Sequence, residues 1–161
     1  SYTKLPVSLT NVVNTALSII GYDRDAKKRA FVRDFQVAPV LTMNPDKIIQ
    51  VVINLVRNAV QATAENGTIT VIISANDSRA LLDITDNGCG IPEDALQKIF
   101  TGSYEKSAAP VDGTRRNMGI GLSVCAAIVK AHGSDITAEN RKGGGAVFRF
   151  ALERGDEDDG Q

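Results

Sequence analysis

Apolar and polar positions change period along the chain, and each change marks an element. Leu9, Val12, Val13, Ala16, Leu17 and Ile20 recur at helical spacing behind Ser8 and Thr10, either of which can cap a helix. Gly21 closes that run, and a packing helix is expected. Residues 1–7, ending near Pro6, read as a linker, and residues 22–29 as a charged connection. Residues 30–37 read as a strand and 40–43 as a second short apolar run. Asn44-Pro45-Asp46 predicts a helix start, with proline at the first helical position and a stop near Glu65, before Asn66-Gly67. Strands follow at 68–75 and 80–86, joined by the turn Asn76-Asp77-Ser78. A short helix is expected over 93–100. Another runs from Gly119 through Val124, Ile128 and Val129 to His132-Gly133. A last hairpin pairs 136–140 with 146–152 around Gly143-Gly144-Gly145.

Residues 101–118 have no periodic pattern. Structureless loops longer than about 12 to 15 residues are uncommon in compact domains and tend to be lids or binding loops. This one carries Lys106, Arg115 and Arg116, cations suited to phosphate, so a lid is favoured over a merely solvated loop. It leads into Gly119-Ile120-Gly121-Leu122, where bare glycines and helix N–H groups favour an anion.

Two further stretches carry chemistry. Asp86-Asn87-Gly88-Cys89-Gly90-Ile91-Pro92 follows a strand and offers a carboxylate beside a bare backbone that a flat ligand can approach. The same residues also suit an ordinary polar turn. A Rossmann fingerprint is excluded because Glu93 stands where its third glycine belongs, and no P-loop is present. Gln50, Asn54, Asn58 and Gln61 align along one face of the helix after Pro45. They form either a solvated polar stripe or a row of amide oxygens facing a ligand, and one such oxygen can complete the shell of Mg²⁺. The single histidine, His132, sits at a helix C-terminus and reads as structural.

Composition narrows the classes. The 161 residues, 43% hydrophobic and 23% charged, fit one globular domain. Net charge is −1, but Asp156, Glu157, Asp158 and Asp159 in an acidic tail (153–161, expected to be disordered) contribute −4, leaving +3. That is too mild for a nucleic-acid binder. Two cysteines match neither a metal spacing nor a disulfide framework, and a reducing cytoplasmic setting fits. No apolar run is long enough to span a membrane and no signal peptide is visible. A chain starting at Ser1 reads as a fragment of a longer protein.

In combination, residues 6–152 resemble the catalytic, ATP-binding domain of sensor histidine kinases, within the superfamily that includes gyrase, Hsp90 and MutL. Asn54-Leu55-Val56-Arg57-Asn58-Ala59 resembles the N box, Asp86-Asn87-Gly88-Cys89-Gly90 the G1 box and Gly119-Ile120-Gly121-Leu122 the G2 box, in the family's order. The resemblance implies a Bergerat fold: an α/β, two-layer sandwich with a mixed, mostly antiparallel sheet, helices on one face and an ATP lid. The domain would cover 8–152, with the lid at about 101–118.

By the same resemblance Asp86 accepts from the adenine amine, Asn58 supplies oxygen to Mg²⁺, and Asn54 helps hold the phosphate side. Gly88, Gly90, Ile91, Gly119, Ile120, Gly121 and Leu122 line the nucleotide, with Gln61, Lys106, Arg115 and Arg116 toward the phosphates. The implied reaction is transfer of the γ-phosphoryl group of ATP to a histidine on a separate dimerisation domain, with a response regulator downstream and a homodimeric parent. Hydrolysing relatives carry a glutamate at the position of Asn54, and an amide is no general base. An ATPase or serine kinase of the same superfamily is therefore the lesser alternative, as is a signalling module that no longer binds ATP. Three departures stand out: Gln61 replaces a lysine, residues 101–104 lack most of the F box, and Ala146 replaces a threonine.

Overall fold

The computed structural model describes residues 2–101 and 118–154. Strand β1 (Leu5–Ser8) runs into helix α1 (Leu9–Ile20), and a 3-10 turn (Ala26–Lys28) leads to β2 (Ala30–Phe35) and β3 (Val40–Met43). Helix α2 (Pro45–Ala62) precedes the hairpin of β4 (Thr68–Ala75) and β5 (Arg79–Asp86). Helix α3 (Met118–Ala131) and the hairpin of β6 (Ile136–Asn140) and β7 (Ala146–Glu153) complete the described chain.

The helices start where the side chains can satisfy the first N–H groups. Ser8 accepts from the Asn11 N–H at 3.1 Å, and Asn44 from the Lys47 N–H at 2.9 Å, with Pro45 in the first turn of α2. Helix α2 ends at Ala62, short of Glu65, because Arg29 caps it. The guanidinium donates to both the hydroxyl and the carbonyl of Thr63 and to the Asp25 carbonyl, placing a cation at the helix C-terminus.

Five strands form one mixed sheet in the order β2-β4-β5-β7-β6, in which only β2 and β4 are parallel. Register puts Leu82 between Ile73 and Phe150, and Ile84 between Val71 and Phe148. These rows form the face buried under the helices. Helix α2 lies in the middle, packed against α1, α3, β4 and β5. It is therefore apolar on two sides: Val51, Val56 and Val60 join Ile48, Val52, Leu55 and Ala59 in the core, while Ala62 is half-buried. The opposite sheet face carries a bidentate pair, Arg149 to Asp83, at 2.7 Å for both bonds.

Three expectations are corrected. Residues 1–7 are not simply a linker, because β1 pairs antiparallel with β3, Leu5 opposite Met43 and Val7 opposite Leu41. Residues 93–100 form consecutive turns, not a helix. Ile91, Ala95 and Ile99 are buried at helical spacing, but most bonds close i to i−3, as in Ala95 to Pro92 and Lys98 to Ala95. Finally, Glu153 belongs to β7, so the tail starts later than expected.

Candidate functional site

The site grows from the end of β5, a strand flanked on both sides by others. Asp86, its last residue, is 2% exposed, and its Oδ1 accepts from the Gly88 N–H at 2.8 Å. Burying a carboxylate is costly without such a donor, so the glycine amide fixes the side chain's orientation. Asn87 turns outward and accepts from the Thr68 N–H at 2.9 Å, tying the turn back to the start of β4. The Cys89 N–H then donates to the Ala62 carbonyl at 3.0 Å, at the end of α2. Gly88 is pressed against the same carbonyl, which a Cβ would meet at 2.1 Å.

The amide row on α2 divides. Gln50 and Gln61 are exposed, Asn54 is half-buried and Asn58 is 6% exposed. No hydrogen bond of the Asn58 side chain to another described residue is found, and its amide is not among the buried polar atoms left without a partner, so the polar end of this nearly buried residue stays accessible. Asn54 lies beside Cys125 of α3. Burial pushes the Cys125 thiol up to about 12, and the Asn54 amide partly opposes that shift.

Gly90 has φ +77° and Ile91 is buried, its backbone held from the β6–β7 hairpin. The Asn140 side chain accepts from the Ile91 N–H at 2.7 Å and donates to the Ile91 carbonyl at 2.8 Å. Arg141 donates to the Asp86 carbonyl at 2.7 Å. Neither residue stands out in the sequence, where both look like ordinary turn-flanking polar residues. Leu122 is buried in the core; for Gly121, no described atom lies within 4 Å of where a Cβ would be. Gly119 and Ile120 lie in the first turn of α3. Lys106, Arg115 and Arg116, with almost all of the expected lid, lie outside the described residues. Phe100 packs edge-on against Phe148 at 6.2 Å between ring centres.

His132 is structural in its contacts. Its Nε2 accepts from the Asn44 N–H at 3.1 Å, and its Nδ1 lies 2.8 Å from the Ile128 carbonyl, joining the end of α3 to the start of α2. Nδ1 therefore carries the proton that the Ile128 carbonyl accepts.

Residues 43–156 match the family described as histidine kinase-, DNA gyrase B-, and HSP90-like ATPase, and the chain belongs to that family. It is 37% identical over 150 residues to a sensor histidine kinase ZraS of Klebsiella oxytoca, covering 91% of this chain and 30% of that protein. It is 37% identical over 115 residues to the adaptive-response sensory kinase SasA of Synechococcus elongatus, covering 71% and 29%. The chain thus spans about a third of the length of these relatives. Among solved structures, the catalytic domain of the histidine kinase ThkA superposes with a TM-score of 0.81 at 26% identity, covering 95% of this chain and 99% of that one. ThkA in complex with the response regulator protein TrrA matches with a TM-score of 0.76, covering 96% and 42%. The fold is accordingly that of a histidine kinase catalytic domain. Among the described residues no helix is long and apolar enough to cross a membrane.

Proposed function

We propose that this chain binds Mg-ATP and donates the γ-phosphoryl group to a histidine on a separate dimerisation domain, of its own parent or of a partner. A response regulator then receives the group, and the parent works as a homodimer with this domain in the cytoplasm. The observation that carries the reading is the buried Asp86 carboxylate, oriented by the Gly88 amide at the C-terminal end of the central strand. A carboxylate held there accepts from the exocyclic amine of adenine, while Gly88 and Gly90 let the loop pack against the Ala62 carbonyl and the Asn140 side chain that hold it in place.

Asn58 supplies the protein oxygen for Mg²⁺. An amide oxygen at the accessible tip of a nearly buried side chain fits a hard cation that takes its other ligands from water and phosphate. When bound, Mg²⁺ neutralises charge on the phosphates. Asn54 holds the phosphate side without acting as a base, which favours transfer to a nucleophilic imidazole over attack by water. Lys106, Arg115 and Arg116 face the phosphates from the lid (101–118), with Gly119, Ile120, Gly121 and Leu122 at its exit and Gln61 at the end of the amide row.

Incubation with γ-labelled ATP and a histidine-bearing dimerisation domain from a related sensor kinase tests this. Acid-labile, alkali-stable label on that domain is expected. Release of phosphate at the same rate with or without it, or acid-stable label on a partner, would contradict it.

A further inference from the structure

The loop bearing Asp86 is tied at its middle to β4 and α2, through Asn87 and Cys89, and is gripped at both ends by the β6–β7 hairpin. At its start, Arg141 donates to the Asp86 carbonyl at 2.7 Å. At its finish, Asn140 makes two bonds to the backbone of Ile91, at 2.7 and 2.8 Å, as a neighbouring strand would. The fit around these contacts is close. A Cβ on Gly90 would come within 2.9 Å of the Asn140 Oδ1, and one on Gly145 within 1.9 Å of the Asp86 carbonyl oxygen. Gly145 is itself held by the hairpin, its carbonyl accepting from the Arg141 N–H at 2.8 Å.

We propose that Asn140 and Arg141 are positioning residues for the adenine pocket: they set the backbone of 86–91 so that the Asp86 carboxylate meets the base pre-aligned. The inference rests on the nucleotide reading of the site and adds residues that touch no ligand themselves. The physical reason is preorganisation. Residues 86–91 hold two glycines and belong to no sheet beyond Asp86, so a loop left to itself samples many shapes. Binding to such a loop bears the ordering cost that a pre-set loop avoids. The two side chains fix both ends of a six-residue span from one rigid hairpin.

Two variants test the proposal by calorimetry with ADP, each paired with a thermal melt. Asn140→Asp keeps size and the acceptor for the Ile91 N–H, but sets an oxygen against the Ile91 carbonyl. Arg141→Met removes the bond to Asp86 at an exposed position, where the fold tolerates change. Each is expected to weaken ADP at least about tenfold, the scale of one well-placed hydrogen bond. Melting stays above the assay temperature, and the amide resonances of Gly88 and Ile91 shift in the free protein. A lowered melting temperature with unchanged ADP affinity would reduce the pair to a structural role and overturn the inference. Should wild type bind ADP and Asp86→Asn lose it while both hairpin variants bind normally, this inference falls alone and the reading of the site stands. If wild type binds no adenine nucleotide, both fall.

Discussion

The Cys89 N–H and the Ala62 carbonyl, 3.0 Å apart, join the loop after β5 to the last turn of α2. Ala62 lies one turn beyond Asn58 on the same helix face, about 6 Å along the axis. The bond therefore makes one rigid body of the two groups proposed to hold the two ends of the nucleotide, Asp86 for the base and Asn58 for the cation. Gly88 permits the contact, since a Cβ there would sit 2.1 Å from the Ala62 oxygen. Gly88→Ala is expected to push the loop off the helix, costing about 3 kcal/mol of stability and abolishing nucleotide binding. Gly121→Ala, with no described atom within 4 Å, should leave stability within about 1 kcal/mol of wild type. Urea titrations of both variants check the contrast, and equal losses would contradict it.

The N-terminal segment behaves as a strap over the helix ends. Beyond the β1–β3 pairing, Tyr2 packs on His132 at 6.0 Å and lies under the Lys47 ammonium at 5.3 Å, while Asn44 donates to the Thr3 carbonyl at 2.8 Å. Removing residues 1–7 is expected to cost about 2 to 4 kcal/mol, and Tyr2→Ala about 1 kcal/mol. Unchanged denaturation midpoints would show that the segment is a linker after all.

The two cysteines should differ sharply. Cys89 is exposed, whereas Cys125 is sealed between α2 and α3 with its thiol donating toward the Val51 carbonyl. Alkylation of the folded protein near pH 8 is expected to modify Cys89 and to reach Cys125 only on unfolding. Burial also raises the Cys125 pKa from 9.0 to about 12, so above pH 9 the unfolded chain releases a proton that the folded chain retains. That contribution to stability is intact below 9 and is lost as pH rises toward 12, about 1 kcal/mol per pH unit. Cys125→Ala should flatten this alkaline decline; an identical decline in the variant would contradict the assignment.

Much of the sheet was legible because burial alternates along β4 and β7, and alternation survives in the letters. The capped starts of α1 and α2 were legible for the same local reason: Ser8 and Asn44 bond only three residues on. Distant partners were not. Leu5-Pro6-Val7 carries no strand signal strong enough to outweigh its proline, and only β3, lying more than thirty residues away, makes it one. Ile91, Ala95 and Ile99 imitate a helix because a chain of turns after Pro92 buries the same positions. The amide row announced a candidate face on α2, but not that its ends at Gln50 and Gln61 reach solvent while Asn58 is buried. Asn140 and Arg141 escaped notice entirely, since nothing local indicates a backbone partner 49 or 55 residues earlier.

The most direct test of the account is calorimetry of ADP and a non-hydrolysable ATP analogue, with and without Mg²⁺, on wild type and Asp86→Asn. The account predicts saturable binding to wild type well below about 1 mM, altered by Mg²⁺ and lost in Asp86→Asn. Absence of binding at about 1 mM nucleotide, or binding indifferent to Asp86, would contradict it.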